Sequence, residues 1–448
     1  MSTTSPKTHD SLVERIGLPR PLVWGFVGLL LFMIGDGVES GYIAPYLADN
    51  GAGSATRAAI IISAYGLIVT LGSWLAGALS DVWGPRRVMI LGLVIWVVFE
   101  IVFLAVAVPS GNFTLLLLAY GVRGFGYPLF AYGFLVWVLA GSPAHRLGSA
   151  VGWFYFAFTG GLPTLGSLFA SGSVPLVGPY VTLWLSLGLV ILGGIISLVG
   201  IRKAKGGTRL AAPEVTTGRS ILNSVAIAFT NPRVGLGCLI RVVNTAPQFG
   251  FLVFLPTIFI TDLGYGTAGW LQLVFTLGFA NIFANLFFGI LSDRLGWHRT
   301  LRWFGCFGSA ISALCLYFVP QAFADQYWVA VACAAFFGIT LAGFTPISVL
   351  MSLMAPGQKG NAIAVLNLGA GAATFVGPLI VALFLELIGA GGVTIVFAAL
   401  YVLAGVSVHW LKIPEESQEV IEKGVAFQDV SELGHLAVHP HEHRQPRP

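Results

Sequence analysis

The chain has 448 residues, of which 56% are hydrophobic and only 9% are charged. Soluble domains carry about 25% charged residues, so this composition, with a mean hydropathy of +0.86, excludes a soluble globular protein and favours a polytopic α-helical membrane protein. A membrane β-barrel would show short segments of alternating polarity, which the sequence lacks. The net charge of +4 is small and the basic residues collect in loops, so we expect no nucleic-acid partner.

The apolar runs predict twelve transmembrane helices, each near or above the ~20 residues needed to cross the hydrocarbon core of a bilayer. Their predicted spans are 21–47, 57–79, 87–108, 113–140, 147–171, 180–201, 234–261, 267–291, 300–320, 327–354, 360–388 and 391–411. Loops on the side of the N-terminus hold nearly all the loop arginines and lysines, whereas the opposite loops hold only Arg57. This asymmetry predicts a multi-pass protein of the inner (plasma) membrane with both termini in the cytoplasm.

A basic loop containing Pro213 divides the predicted helices into two groups of six. We therefore expect five regions: a cytoplasmic N-terminal segment 1–20, a first six-helix bundle 21–201, a cytoplasmic linker 202–233, a second six-helix bundle 234–412 and a cytoplasmic tail 413–448. Four histidines near the end of the tail could bind a metal, but a disordered tail is favoured. The cysteines lack metal-ligand spacing, and no HExxH, GxSxG or P-loop motif occurs, so we expect no cofactor and no enzymatic activity.

Two acidic residues, Asp36 and Glu39, lie inside the first predicted helix at i, i+3 spacing, which directs both to one helix face. An acid at mid-bilayer costs roughly 2.5–3.5 kcal/mol on insertion scales, so this face should meet water, a cation or a partner helix. Arg123 in the fourth predicted helix needs a counter-ion for the same reason. We predict that these three residues form one proton-coupling charge network. Glu100 and Glu386 are further intramembrane acids, to which the sequence assigns no role.

A loop motif occurs twice, as Gly77-Ala-Leu-Ser-Asp81-Val-Trp-Gly84-Pro-Arg86-Arg87 and again, 212 positions later, as Gly289-Ile-Leu-Ser-Asp293-Arg294-Leu-Gly296-Trp-His-Arg299. Both copies resemble the loop motif of the major facilitator superfamily. The resemblance implies an all-α fold of two parallel, pseudo-symmetric six-helix bundles. The glycines should allow close helix packing, and the charged residues should form a cytoplasmic latch for one access state. The expected latch residues are Gly77, Asp81, Arg86, Arg87, Gly289, Asp293, Arg294 and Arg299.

Polar and aromatic side chains within the helices are candidates for substrate contact. Amides offer both donors and acceptors, which suits a hydroxylated ligand, although amides in a membrane also join helices; for each single amide both alternatives stay open. A flat aromatic face suits the C–H face of a sugar-like molecule. The candidate residues are Tyr65, Tyr127, Trp153, Arg241, Asn244, Gln248, Asn281, Asn285 and Asn367.

Several strings resemble the bacterial ribitol/D-arabinitol (polyol) permease family: Gly35-Asp-Gly-Val-Glu39, Tyr120-Gly-Val-Arg-Gly-Phe-Gly-Tyr-Pro-Leu-Phe130, Gly152-Trp-Phe154, Ile240-Arg-Val-Val-Asn-Thr245 and Arg302-Trp-Phe-Gly-Cys306. This resemblance implies secondary uptake of a linear polyol, with protons as the co-transported partner. We also expect the protein to be a monomer. An organic anion carrier that uses Arg123 and Arg241 as a clamp is the first alternative. Plain facilitation and a non-transporting nutrient sensor remain further alternatives.

Overall fold

The computed structural model describes residues 20–141, 147–204, 207–210, 226–355 and 359–414. The predicted N-terminal segment, most of the linker and the histidine-rich tail lie outside these residues. In the first half the helices are α1 (Val23–Gly37), α2 (Ile43–Leu47), α3 (Ala55–Trp83), α4 (Pro85–Val102), α5 (Val108–Ser110), α6 (Phe113–Arg123), α7 (Gly126–Gly141), α8 (Leu147–Thr159) and α9 (Gly166–Gly200). In the second half they are α10 (Pro232–Thr257), α11 (Gly266–Leu295), α12 (Trp297–Thr300), α13 (Gly308–Ala322), α14 (Tyr327–Ala342), α15 (Ile347–Met354) and α16 (Lys359–Ser407).

Short π-helical segments connect or extend several of these helices. They are Ala48–Ala52, Phe103–Ala107, Gly160–Leu165, Ile258–Asp262 and Leu301–Phe307. Such segments occur where the regular hydrogen-bond ladder is interrupted, often close to functional sites. The apolar runs of the sequence therefore form helices, as predicted, but these helices are less regular than the hydropathy pattern indicates.

Ten helical stretches in the described ranges are long and apolar enough to cross a membrane. Two of them, Gly152–Gly200 and Ala364–Trp410, are 49 and 47 residues long, about twice the ~20 residues that one crossing needs. The chain is non-helical at Gly178 in α9 (φ 82°, ψ 163°) and at Gly389 in α16 (φ 68°, ψ 176°). If each of the two long stretches is divided at its glycine, the ten stretches become twelve segments, which is consistent with the twelve predicted helices.

Each half is built from helix pairs, and the two halves then pack against each other. In the first half α1 packs against α9 and α4 against α7, while in the second half α10 packs against α16 and α11 against α14. The halves meet where α3 packs on α16 and α11 on α9. Two hydrogen bonds cross this boundary: the Trp270 indole N–H donates to the Gly41 carbonyl at 2.6 Å, and the Thr374 hydroxyl donates to the Gly66 carbonyl at 3.2 Å.

The duplicated sequence motif corresponds to a duplicated helix junction. Gly84 joins α3 to α4 with φ 91° and ψ 139°, and Gly296 joins α11 to α12 with φ 92° and ψ 138°. Residues with a Cβ rarely adopt this backbone region, which explains why both copies of the motif carry glycine at this point. The sequence repeat therefore reflects a repeat of the structure.

The predicted latch stays a prediction, because several of its side chains are outside the described part of the structure. Arg86, Arg87 and Arg299 are exposed, and the ion pairs of the described residues do not include them. The side chains of Asp81, Asp293 and Arg294 and the surroundings of Gly289 are not among those described.

The close packing expected at Gly77 also stays a prediction. Among the described residues, no atom lies within 4 Å of a Cβ added to Gly77.

Candidate functional site

The first half contains two helix interruptions that position charged side chains. Helix α1 ends at Gly37 and the helical backbone resumes only at Ile43, so Glu39 lies in the break. Helix α6 ends at Arg123, just before α7 begins. Both interruptions lie in glycine-rich sequence. Irregular backbone at membrane depth is tolerated only where protein buries it or where it lines a cavity, which identifies this region as a candidate site.

Arg123 is the centre of a buried charge network. Its Nη2 pairs with Glu39 Oε1, and its Nη1 donates both to Glu39 Oε2 at 2.9 Å and to Glu100 Oε2. The Tyr120 hydroxyl donates to Glu39 Oε1 at 2.8 Å. The Arg123 and Glu100 residues are 0% exposed and Glu39 is 4% exposed. The structure thus brings Arg123 and Glu39 together in the two-point geometry that strengthens arginine–carboxylate pairs.

Asp36 joins this network through a tryptophan rather than through the arginine. The Trp96 indole N–H donates to Asp36 Oδ1 at 2.6 Å, and Asp36 is buried. No ion pair links Asp36 to Arg123, although the Arg123 guanidinium carbon lies 5.0 Å from the centre of the Trp96 ring. The three predicted residues therefore lie in one cluster, with only Glu39 in direct contact with the arginine.

Aromatic rings enclose the guanidinium of Arg123. Its central carbon lies 4.5 Å from the centre of the Tyr120 ring and 5.4 Å from that of Tyr65, and these two rings are 4.7 Å apart. An arginine over such a face gains cation–π attraction, which is stronger in a desolvated site. Tyr65, a predicted substrate contact, is therefore part of the wall of the charge network.

The sequence did not assign three members of this network: Glu100, Trp96 and Tyr120. Glu100 is the only acidic residue in the span Pro85–Ser110, whose hydropathy is 2.8. A lone acid in so apolar a span is itself a signal of a buried partner. The sequence does not reveal which face of α4 meets Arg123, so this signal could not name the partner.

In the second half, α10 carries three of the candidate substrate contacts. Arg241 is half-buried and forms no ion pair with a described residue, but its charge interacts electrostatically with Tyr132 and Tyr155 of the first half. Asn244 is 4% exposed, and its Oδ1 has no hydrogen-bond partner in the described structure. Gln248 is half-buried one turn further along. A buried polar atom without a protein partner, such as Asn244 Oδ1, is suited to bind a ligand.

Two other candidate amides join helices instead. The Asn281 side chain donates to the Gly338 carbonyl at 3.0 Å, and Asn285 donates to Asn281 Oδ1 at 3.0 Å. The Thr345 hydroxyl donates to Asn285 Oδ1 at 2.7 Å. These bonds connect α11 with α14 and with the segment after it, which is the helix-joining alternative for amides in membranes. Asn367 on α16 is half-buried.

The remaining aromatic candidates, buried Tyr127 and half-buried Trp153, pack against other rings of the first half. The Tyr127 ring is 6.1 Å from the Phe158 ring, and Tyr127 is buried. The Trp153 ring packs edge-on against Phe156 at 5.5 Å. This arrangement is ordinary aromatic packing, so a substrate role for Tyr127 and Trp153 stays a prediction.

The fold and the site together define a class: a polytopic helical carrier with two structurally repeated halves and a buried charge network beside the boundary between them. The family model of the Major Facilitator Superfamily matches residues 25–320 and, separately, residues 237–441. The chain belongs to the Major Facilitator Superfamily and is a multi-pass membrane transporter. The superfamily predicted from the duplicated loop is thus confirmed.

Similar proteins cover nearly the whole chain. An alpha-ketoglutarate permease of Bacillus subtilis (strain 168) is 42% identical over 420 residues, which is 94% of this chain and 95% of that protein. A D-arabinitol transporter of Klebsiella pneumoniae is 36% identical and matches 87% of this chain and 92% of its own length. A ribitol transporter of Klebsiella pneumoniae is also 36% identical, over 87% of this chain and 91% of its own length. These relatives confirm the predicted resemblance to polyol permeases.

Among solved structures, the crystal structure of a D-xylose-proton symporter is similar to this chain. The TM-score is 0.68 at 18% sequence identity, and the alignment covers 90% of this chain and 99% of that one. At this level of identity the similarity supports the fold alone.

Proposed function

We propose that this transporter imports a polyol together with protons by alternating access. The observation that carries the proposal is the buried network in which Glu39, in the break of α1, is bound by Arg123 and Tyr120. A buried carboxylate stays ionised only while a cation compensates it, and binding a proton is the other way to neutralise it. Glu39 can therefore alternate between its arginine and a proton, with Asp36 as a second acid in the same cluster.

The unpaired groups of α10 favour a hydroxylated substrate. The buried Asn244 Oδ1 is an acceptor that requires a donor, whereas the Arg241 guanidinium is a donor that requires an acceptor. A hydroxyl group supplies both functions, and a polyol carries several of them. The similarity to the D-arabinitol and ribitol transporters supports the same substrate class.

A second candidate substrate is an organic anion, because Arg241 has no described counter-ion and because one relative is an alpha-ketoglutarate permease. The arginine clamp considered from the sequence is not supported: Arg123 is fully buried and already held by Glu39 and Glu100. A carboxylate substrate would have Arg241 as its only arginine partner. It would also leave Asn244 Oδ1 without a donor, which is why we rank the anion second.

Substrate-induced proton flux in proteoliposomes tests this proposal. We expect ribitol or D-arabinitol added outside to raise the external pH, because protons enter with the substrate, and alpha-ketoglutarate to leave the pH unchanged. Replacing Asn244→Leu should reduce polyol uptake about tenfold, the equivalent of one hydrogen bond of about 1.4 kcal/mol. The organic anion would be the substrate instead if alpha-ketoglutarate, and neither polyol, induced proton flux. Arg241→Gln should then abolish this flux, and the exposed control Arg57→Gln should retain it. Binding without flux would indicate a sensor.

We further propose that the protein acts as a monomer in the inner membrane with both termini in the cytoplasm. The bundles 21–201 and 234–412 would then rock about the cleft, joined by the linker 202–233. In that orientation the bond between Trp270 and Gly41 closes the outer side of the cleft. The duplicated loops would latch the cytoplasmic side in the opposite state.

A further inference from the structure

We propose that Glu100 is a second counter-ion of Arg123, which keeps the guanidinium compensated while Glu39 carries the proton. This inference rests on the proposed proton symport and assigns a positioning role to a residue that the symport proposal itself does not use. Glu100 acts through Arg123 and does not itself exchange the transported proton.

The geometry gives Arg123 two carboxylate partners from two different elements. Its Nη1 donates to Glu39 Oε2 and to Glu100 Oε2 together, whereas its Nη2 pairs with Glu39 alone. Glu100 is 0% exposed, and its Oε1 has no described hydrogen-bond partner. The second carboxylate is therefore committed to the arginine.

The two carboxylates differ in how firmly the fold holds them. Glu100 lies within the regular helix α4, whereas Glu39 lies in the break between α1 and α2. The Gly41 carbonyl in that break accepts a hydrogen bond from Trp270 of the second half. A movement of the second half therefore acts directly on the segment that carries Glu39 and leaves the backbone of Glu100 in place.

The charged groups around Glu100 determine the free-energy cost of protonating Glu39. Glu100 interacts electrostatically with Arg123 from α6, with Glu39 and Asp36 from the α1 region, and with Tyr42 from the α1–α2 break. Arg123 is the only cation among them. Without an ionised Glu100, a proton on Glu39 would leave this buried arginine with no carboxylate in direct contact, which is strongly unfavourable.

With Glu100 ionised, Arg123 keeps a negatively charged partner while Glu39 is protonated. A proton bonds to a Glu39 carboxylate oxygen, the contacts of Glu39 with both Nη2 and Nη1 of Arg123 break, and Arg123 keeps Glu100 through Nη1. Release of the proton on the other side restores the Glu39 pair. The same fixed counter-ion serves both states, so the arginine is never left as an isolated buried charge.

The pH dependence of transport in Glu100→Gln tests the proposal. Uptake is measured in proteoliposomes at a fixed pH difference while the absolute pH is varied, with ribitol and D-arabinitol as substrates. Removing the negative charge of Glu100 makes Glu39 the sole carboxylate in direct contact with Arg123, so half-maximal uptake should move to lower pH by about one to three units. Glu386→Gln, the same change at an exposed acid of α16, should retain the wild-type profile.

Three results would contradict the role of Glu100 or the proposed symport. A folded Glu100→Gln protein with the wild-type profile, or with a shift to higher pH, overturns the role of Glu100. If Glu100→Gln does not fold, Glu100→Asp retains the charge but shortens the reach, and it should show a smaller shift in the same direction; a wild-type profile there overturns the proposal. Absence of proton-driven uptake in the wild-type protein contradicts the proposed symport itself, a result that is distinct from all of these.

Discussion

Arg123 organises the first half because a buried guanidinium requires negatively charged partners close to it. Two carboxylates and a ring of aromatic side chains surround it. Such a cluster is costly to bury and strongly destabilised when one partner is removed. The residues that hydrogen-bond to the acids should therefore matter as much for the stability of the cluster as the acids themselves.

The hydrogen bond between Trp96 and Asp36 gives a prediction for stability. Replacing Trp96→Phe keeps an aromatic ring but removes the N–H that donates to buried Asp36. We expect the free energy of unfolding to fall by about 1–3 kcal/mol, because a buried acceptor then lacks its donor. Unfolding in detergent measures the change. The control Trp24→Phe alters an indole that is 60% exposed, and an equal loss in both variants would contradict the account.

At this scale the sequence predicted part of the site. The pairing of Glu39 with Arg123 could be predicted because two intramembrane charges of opposite sign lie on helices of the same bundle. The partnership of Glu100 with Arg123 could not, because it depends on the rotation of α4 within the bundle. Asn244, whose Oδ1 has no described partner, could not be distinguished from the bonded Asn281 and Asn285 for the same reason: packing alone decides which amides bond to a neighbouring helix.

At the scale of elements, the interruptions of helices carry the function. The break after α1 holds Glu39, α6 ends at Arg123, and the break between α14 and α15 holds Thr345. Hydropathy predicted the existence of the helices well, because long apolar runs have few other structures available in lipid. It could not predict the breaks, because these depend on side-chain and backbone partners supplied by other helices.

The bond between Thr345 and Asn285 predicts how strongly α11 is joined to the break after α14. Replacing Thr345→Val removes the hydroxyl that donates to Asn285 Oδ1 while nearly preserving volume. We expect a loss of about 0.6–1.5 kcal/mol in the free energy of unfolding. Thr276→Val is the matched control, since its exposed hydroxyl donates only to Gln272 in its own helix. A loss in Thr276→Val as large as in Thr345→Val would argue against the interhelical bond.

The duplicated junctions predict sensitivity at two distant positions, with the larger loss at Gly84, where an added Cβ would also lie 2.8 Å from the Thr208 backbone carbon. Gly84→Ala and Gly296→Ala force a Cβ into backbone conformations at φ 91° and 92°, which costs about 1–3 kcal/mol at each site. The control Gly188→Ala lies within a helix and meets open space, so alanine there should be neutral or stabilising. Thermal unfolding of the three variants compares them, and tolerance of alanine at either junction would contradict the structural repeat.

At the scale of the whole molecule, the two halves share one architecture but differ in chemistry. The buried charge network lies entirely in the first half, whereas Arg241, which has no described ion pair, and Asn244, whose Oδ1 has no described partner, lie on α10 of the second half. In the proposed mechanism the first half handles the proton and the second half the substrate. The hydrogen bond from Trp270 to Gly41 joins the second half to the Glu39 segment, which is a direct route for coupling the two.

The measurement that tests this account most directly compares two modes of transport in Glu39→Gln. Proteoliposomes are assayed for polyol accumulation driven by an imposed pH difference and for polyol counterflow exchange, which needs no net proton movement. The account predicts that Glu39→Gln loses accumulation and retains exchange, because the glutamine resembles a permanently protonated acid. Accumulation equal to that of the wild-type protein would contradict it.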